Sequence, residues 1–163
     1  MLSKIFTAAV RAGLTAAGIG FVLSAAPVVA QDYNATPTFG EFHLSPGFTP
    51  DPGLLSVRSG GSINATDWSK NCKGFIANAP DLRMYWDGTG SLSLIISAVS
   101  NADVTLVVNG PNGEWYCDDD SGDGSNPSLT LTPSAGRYEI WVGTYASGET
   151  RPAVVSVSEL SSF

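Results

Sequence analysis

Four aspartates lie within six positions of one another in the segment GEWYCDDDSGDGSNP, residues 113–127: Asp118, Asp119, Asp120 and Asp123. Small turn-forming residues follow them, which predicts a tight connection at the end of a strand. Flexible loops rich in carboxylates are typical sites for Ca²⁺, which takes about six to eight oxygen ligands. The four aspartates are therefore candidate metal ligands, and calcium is the candidate cofactor.

The spacing matches only part of a known calcium loop. The run from Asp119 to Gly124 follows the first half of the EF-hand pattern, but Thr130 occupies the position of the bidentate glutamate. A calcium ion here needs further oxygens, for which Asp103 and Asn126 are candidates. The alternative is that the aspartates solvate and cap the end of a hairpin without any metal.

The Asp-Ser-Gly sequence at 120–122 raises the possibility of a serine hydrolase, because the same three residues surround a chymotrypsin-like nucleophile. A triad also needs a histidine within hydrogen-bond reach of the serine. The one histidine of the chain, His43, precedes Ser121 by 78 positions. Carboxylates around Ser121 also raise the cost of forming an anionic nucleophile. We therefore expect no catalytic residues, with a serine peptidase as the alternative.

Aromatic residues at 115, 116, 141 and 145 are candidates for a ligand platform such as a carbohydrate-binding surface. Successive side chains of a strand point to opposite faces, so Tyr116 is predicted to lie opposite Trp115. Trp141 is likewise predicted to oppose the apolar residues beside it. Core packing is the usual role of tryptophan and tyrosine. Tyr116 and Trp141 are the two that we expect to be exposed.

The elements that must position these residues are strands. From residue 39 onward, short β-branched and aromatic runs alternate with Gly, Pro, Asn and Asp clusters, and no helical period is sustained. This pattern predicts an all-β fold, a single jelly-roll-like antiparallel β-sandwich of about 8–9 strands. The predicted strands are 39–44, 54–58, 82–86, 92–99, 104–108, 115–117, 129–131, 138–145 and 154–160.

Residues 1–30 are predicted to be a secretory signal peptide. Lys4 and Arg11 form a basic leader before an apolar run at 12–23, and cleavage is expected after Ala30. The apolar run is too short to span a bilayer, so no membrane association is expected after cleavage. The mature protein is therefore expected in the periplasm or outside the cell.

The mature chain is expected to contain a flexible N-terminus at 31–38 and one β-sandwich domain at 39–163. Its net charge is −9 instead of −7, because the first 30 residues contain two basic residues and no acidic ones. The remaining basic residues are scattered singly along the sequence, whereas nucleic-acid binding needs clustered lysine and arginine. Nucleic acid is therefore excluded as a partner.

The chain contains two cysteines, Cys72 and Cys117, and both belong to the exported part. An even number in an oxidising compartment predicts one disulfide. The closed loop of about 45 residues stabilises the fold by roughly 4 kcal/mol on the chain-entropy model. A thiol or metal role is disfavoured, because the sequence lacks a Cys-x-x-Cys motif and histidines close to the cysteines.

Three motifs occur in a characteristic order: ADVTLVVNGPNG at 102–113, DDDSG at 118–122 and AGRYEIWVGTY at 135–145. With them, the stretch 73–160 resembles the bacterial pre-peptidase C-terminal domain family, small jelly-roll sandwiches attached to many secreted proteases. The sequence also resembles a stand-alone group of exported proteins often labelled as peptidases. The resemblance implies the sandwich fold, and this chain has room for the sandwich without a neighbouring protease domain.

The expected function is that of a non-catalytic exported module that binds or stabilises, with the acidic turn as a candidate calcium site. The expected partner is a protein or glycan of the cell envelope. A serine peptidase and a purely structural envelope component are the alternatives, because a fold resemblance does not choose among functions.

Overall fold

Strands with alternating inward and outward side chains form two packed β-sheets, which confirms the all-β sandwich predicted from the sequence. The computed structural model describes residues 32–88, 90 and 92–162. The predicted signal peptide at 1–30 lies outside the described residues. Within the described ranges, no helix is long and apolar enough to cross a membrane.

Eleven strands and one short 3-10 helix occur in the described part of the chain. The strands are β1 (Gly40–Leu44), β2 (Gly53–Ser59), β3 (Ile63–Asn64), β4 (Phe75–Ile76), β5 (Leu82–Trp86), β6 (Leu94–Val99), β7 (Val104–Asn109), β8 (Trp115–Asp118), β9 (Ser128–Leu131), β10 (Gly136–Thr144) and β11 (Arg151–Ser158). The 3-10 helix, Ala65–Asp67, follows β3 directly.

Sheet A is built around β10. The first half of β10 pairs with β5 and β1 follows β5, while β7 and then β8 lie on the other side of β10. The short strands β4 and β3 continue the sheet beside the C-terminal end of β10. Sheet B has the order β2-β11-β6-β9. The β1–β5 pair is parallel, which departs from the predicted antiparallel arrangement.

The main hydrophobic core lies between the two sheets, because every second residue of the central strands points inward. Its fully buried side chains include Leu82, Leu106 and Ile140 from sheet A and Ile96 and Val155 from sheet B. Each fully buried aliphatic side chain of this size contributes about 1.5–3 kcal/mol. This core holds the strands that carry the candidate site residues.

Each of the nine predicted runs overlaps a strand of the structure. The two strands that the sequence did not predict, β3 and β4, contain two residues each. A run of two residues shows no alternation, so the period-two signal that reveals strands cannot detect them. Both lie in the connection at 60–76, which we call the cover loop.

Residues 32–38, which we call the strap, belong to the segment predicted to be a flexible N-terminus, and they lie against sheet A. The Arg83 guanidinium donates to the carbonyl oxygen of Ala35 at 2.9 Å and to that of Tyr33 at 3.4 Å. The strap ends where the Thr38 N–H donates to the carbonyl of Pro80 at 2.8 Å. An arginine side chain that donates hydrogen bonds to backbone carbonyls produces no periodic pattern in the sequence. The sequence therefore does not predict this contact.

Candidate functional site

One residue of the acidic turn organises its backbone. The Asp118 carboxylate accepts hydrogen bonds from the Ser121 N–H at 2.9 Å, the Ser121 hydroxyl at 2.6 Å and the Ser128 N–H at 2.8 Å. These bonds close the connection between β8 and β9. Asp118 therefore acts as the capping residue of the turn, which is the alternative to metal binding considered from the sequence.

A lysine provides positive charge to the rest of the turn. Lys73 Nζ lies 2.8 Å from Asp119 Oδ2, and this hydrogen bond and charge raise the pKa of Lys73. Burial, and then the charges of Asp120 and Asp119, raise the pKa of Asp103. Asp103 and Asp123 line the same shallow depression of about 330 Å³. Among the described residues, no three His, Cys, Asp or Glu side chains lie together as a group able to hold a metal ion.

Ser121 and His43 lie at opposite edges of sheet A. The Ser121 hydroxyl donates to Asp118, while the His43 ring stacks on Tyr85 with a centroid distance of 4.7 Å. His43 belongs to β1, and Ser121 follows β8. Four strand spacings separate β1 from β8 in the sheet, about 19 Å in total. This arrangement does not provide Ser121 with His43 as a general base.

The predicted platform of Tyr116 and Trp141 is not an exposed surface. Trp141 points away from the main core as predicted, but its side chain is 0% exposed because the cover loop packs over it. Tyr116 is partly buried against the main core, and its hydroxyl donates to Glu114 at 2.7 Å. The prediction that Trp141 is exposed is therefore wrong, since outward-facing residues of a sheet can be covered by a connection.

The predicted disulfide between Cys72 and Cys117 is confirmed, and it attaches the cover loop to β8. Cys72 belongs to a second hydrophobic cluster with Ile76, Val107 and Trp141. The bond therefore holds a small core on the outer face of sheet A, separate from the core between the sheets.

Three tryptophans form a continuous stack in this second core. The ring centroids of Trp68 and Trp115 are 6.2 Å apart, and those of Trp115 and Trp141 are 5.7 Å apart. Aromatic pairs at such separations stabilise by about 0.5–1.5 kcal/mol beyond their burial. Trp115 therefore packs against both Trp68 and Trp141, and its side chain stays partly exposed.

Next to the tryptophans, a buried carboxylate holds two arginines. Glu139, 1% exposed, places Oε1 at 2.6 Å from Arg83 Nε and at 2.9 Å from Arg137 Nε. Burial raises the pKa of Glu139, and the bond from Arg83 opposes that change. Arg137 also donates to the Asn34 side chain of the strap at 2.9 Å. These contacts fix the direction of the Arg137 guanidinium.

A cleft of about 490 Å³ opens beside Arg137, between the strap, the β7–β8 turn and the start of β10. Its volume is within the range of small-ligand sites, about 300–1,000 Å³. The aromatic side chains of Tyr33 and Trp115 and the polar side chains of Asn109 and Arg137 line it. Among the described residues that line it, no aspartate or glutamate is present.

Glycine allows the two turns of the cleft to approach each other. Gly136 has a φ of 138°, and a Cβ at this position would overlap the ring of Pro111. Any other residue would push the β7–β8 turn away from the start of β10. The Gly136 position therefore controls the width of the cleft.

One buried acid lies under the centre of sheet A. Asp81 Oδ2 accepts a hydrogen bond from the Val142 N–H at 2.7 Å, and the Asp81 N–H donates to the carbonyl of Ile140 at 2.9 Å. Burial raises the pKa of Asp81 to about 7, and the bond from Val142 acts in the opposite direction. Asp81 therefore links the start of β5 to β10 through these two hydrogen bonds, and it does not line the cleft.

The sequence did not reveal the cleft residues Tyr33, Asn109 and Arg137. Tyr33 precedes the predicted strands, and Arg137 appeared only as one of several isolated basic residues. One available signal was the alternation of β10, which places Arg137, Glu139 and Trp141 on the same outward face. Charged residues two positions from a tryptophan indicate a face that is not purely core.

No protein-family model matches the sequence, and no curated protein matches it. Among solved structures, the chain is similar to PliG of Aeromonas hydrophila, a periplasmic lysozyme inhibitor of g-type lysozyme. The identity is 15%, the similarity covers 73% of this chain and 97% of that chain, and the TM-score is 0.37. Similarity at this level does not carry a function or a partner from one protein to the other.

Proposed function

We propose that the protein is a non-catalytic exported binding module whose ligand site is the cleft beside Arg137. The main support for this proposal is the composition of the cleft, in which two aromatic walls, Tyr33 and Trp115, are combined with the polar groups of Asn109 and Arg137. Ligand sites are typically concave and aromatic, with a few polar groups that fix the orientation of the ligand. The cleft has this composition, and its location on a rigid sheet supports recognition.

Rigidity of the walls favours binding. Trp115 packs against Trp141, and Arg137 is held by Glu139 and Asn34, so these groups lose little conformational entropy when a ligand arrives. Immobilising a flexible side chain costs about 0.5–1.5 kcal/mol on binding, which preorganisation avoids. A purely structural envelope protein has no need of such a cleft.

The location of reactive groups supports a non-catalytic role. The residues that a serine peptidase would require, Ser121 and His43, point to different partners at opposite edges of sheet A. Arg137 is the charged side chain that lines the cleft among the described residues, and an arginine does not act as a general acid or base near neutral pH. The serine peptidase alternative therefore gains no support from the geometry.

Export to the periplasm or the cell exterior is part of the proposal. The disulfide supports it, because such bonds persist in oxidising compartments. Membership of the pre-peptidase C-terminal domain family is also proposed, on the sequence motifs described above. The proposed partner is a glycan or protein of the cell envelope.

The experiment uses the purified mature protein and a defined panel of envelope glycans and envelope proteins, with binding measured by surface plasmon resonance. We expect at least one ligand whose binding is lost in Tyr33→Ala and retained in Tyr145→Ala. The two tyrosines are matched in exposure, 47% and 52%, but Tyr145 follows the opposite end of β10 from the cleft. The proposal is contradicted if Tyr33→Ala binds every ligand as tightly as wild type does, or if no member of the panel binds.

A further inference from the structure

We infer that the ligand of the cleft is a short saccharide that carries a carboxylate, an inference that rests on the proposed function of the cleft. The first argument is charge. The sequence has a net charge of −7, yet Arg137 lines the cleft and no acidic side chain does so among the described residues. The charged side chain that lines the cleft is therefore opposite in sign to the net charge of the molecule.

Arg137 ends a row of two arginines and two glutamates on the outer face of sheet A. Glu139 presents a single oxygen, Oε1, to both Arg83 and Arg137, so one carboxylate is shared by two guanidinium groups. A second acid, Glu41, lies 3.6 Å from Arg83, on the side of that arginine away from Arg137. The four charges of this row sum to zero, and the Arg137 guanidinium is the charged group of the row that lines the cleft.

The geometry of Arg137 suits a carboxylate. Its Nε is directed at Glu139 and one Nη at Asn34, while the side chain stays 36% exposed and lines the cleft. A guanidinium has five N–H groups in a fixed fork, and it binds planar carboxylates through two parallel hydrogen bonds. A ligand carboxylate can thus approach a guanidinium whose orientation is already set.

The aromatic walls select a ring-shaped ligand. A pyranose ring has an apolar C–H face and a rim of hydroxyl groups, which match an aromatic wall and polar groups respectively. Tyr33 and Trp115 supply the walls, and the Asn109 side chain, whose Nδ2 also donates to the Glu114 carbonyl at 3.4 Å, supplies a polar group of the lining.

The position of the cleft disfavours an extended peptide. Peptides that add to a sheet need a free strand edge of several residues. The start of β10 pairs with β5 along Gly136–Ile140 and with β7 from Glu139 onward, so only the three residues 136–138 are without a ladder partner on the β7 side. A peptide ligand would also make no ion pair with Arg137 unless one of its carboxylates entered the cleft. We therefore favour the acidic saccharide over a peptide.

The test is an NMR titration of the ¹⁵N-labelled mature protein with pairs of sugars that differ in one carboxylate. Suitable pairs are glucuronic acid with glucose, galacturonic acid with galactose, and N-acetylmuramic acid with N-acetylglucosamine. We expect at least one acid to bind about tenfold or more tightly than its neutral counterpart, since a hydrogen bond to a charged group is lost in the neutral sugar. The Trp115 indole signal should shift during that titration.

Arg137→Gln should bring the affinity for the acid down to that for the neutral sugar. Arg83 still pairs with Glu139 in this variant, so the fold is expected to survive, and the amide spectrum checks this. Arg151→Gln is the matched control, because Arg151 pairs with the exposed Glu149 and lies on sheet B. Its affinity for the acid should stay unchanged.

Other results decide between this inference and the proposed function. Equal affinity for acidic and neutral sugars contradicts the role of the carboxylate. If none of the sugars binds, but an envelope protein of the panel above binds in a Tyr33-dependent manner, then the inference of a saccharide ligand is wrong. The proposal that the cleft is the binding site is then retained. Absence of any Tyr33-dependent ligand overturns both.

Discussion

Asp118 differs from the three other aspartates of its turn in what its carboxylate does. Its oxygens accept three hydrogen bonds from Ser121 and Ser128, whereas Asp119 pairs with Lys73. The sequence predicted the turn and its acidity correctly. It could not rank the four acids, because the partners Lys73 and Ser128 come from a distant loop and from the next strand. Single residues acquire their roles from such tertiary neighbours.

Calcium binding at the acidic turn stays a prediction, and Lys73 makes it testable. Asp118 is engaged in the turn, so Asp119, Asp120, Asp123 and Asp103 are the remaining acidic ligands for a bound ion. Calcium then has to displace the Lys73 ammonium from Asp119. We expect millimolar Ca²⁺ to raise the melting temperature by several degrees, with less Ca²⁺ needed in Lys73→Gln.

Differential scanning fluorimetry from chelator to millimolar calcium measures this effect. The control is Lys70→Gln, which removes the same charge outside the turn. A melting temperature that stays flat in both wild type and Lys73→Gln shows that the aspartates only cap and solvate the turn.

Asp81 predicts a pH dependence of stability. Its pKa is raised from 3.8 to about 7 in the folded state by burial, so the folded protein holds the proton more tightly than the unfolded chain. The stabilisation is complete below pH 3.8 and is lost as pH rises to about 7. The loss amounts to roughly 4 kcal/mol at most, since one pKa unit corresponds to about 1.4 kcal/mol.

Asp81→Asn should remove this dependence, because the amide oxygen can still accept the bond from the Val142 N–H without ever ionising. Urea denaturation at pH 5 and pH 8 compares the two proteins. We expect Asp81→Asn to be the more stable protein at pH 8 and to gain less than wild type on acidification. If the free energy of unfolding changes with pH to the same extent in both proteins, the pKa of Asp81 is not raised by folding.

At the scale of elements, the cover loop decides which outward-facing residues of sheet A are exposed. The alternation of β10 predicted correctly that Trp141 opposes the main core. It did not predict the cover, because β3 and β4 have two residues each and the loop between them has no period. The disulfide prediction contained the missing information, since a bond from Cys72 to Cys117 must draw this loop across the sheet.

Removing the disulfide should therefore loosen the second core more than the first. A Cys72→Ala and Cys117→Ala double variant is expected to lose about 4 kcal/mol of stability on the chain-entropy model. Its tryptophan emission should shift to longer wavelength as Trp141 and Trp115 meet water. Guanidinium denaturation and fluorescence measure the two effects, with thiol tagging of denatured wild type to show that no free thiol exists. An unchanged spectrum and midpoint would mean that the loop holds without the bond.

At the scale of the whole molecule, the sheets and the site differ in how far the sequence predicts them. The sandwich follows from alternation and turn residues, which act locally, so each of the nine predicted runs overlaps a strand. The cleft arises where the strap, a β-turn and the start of β10 meet, and these segments are far apart in sequence. Only their tertiary contacts, through Arg83, Arg137 and Gly136, bring them together.

The central claim is that the cleft beside Arg137 is the ligand site of this protein, and chemical-shift mapping tests it most directly. The labelled mature protein is titrated with the ligand that binds it most tightly in the panels above. The account predicts that the largest shifts occur at the amides of Asn109, Gly110 and Gly136 and at the Trp115 indole. Shifts that instead gather at the acidic turn, residues 118–126, or on sheet B would contradict it.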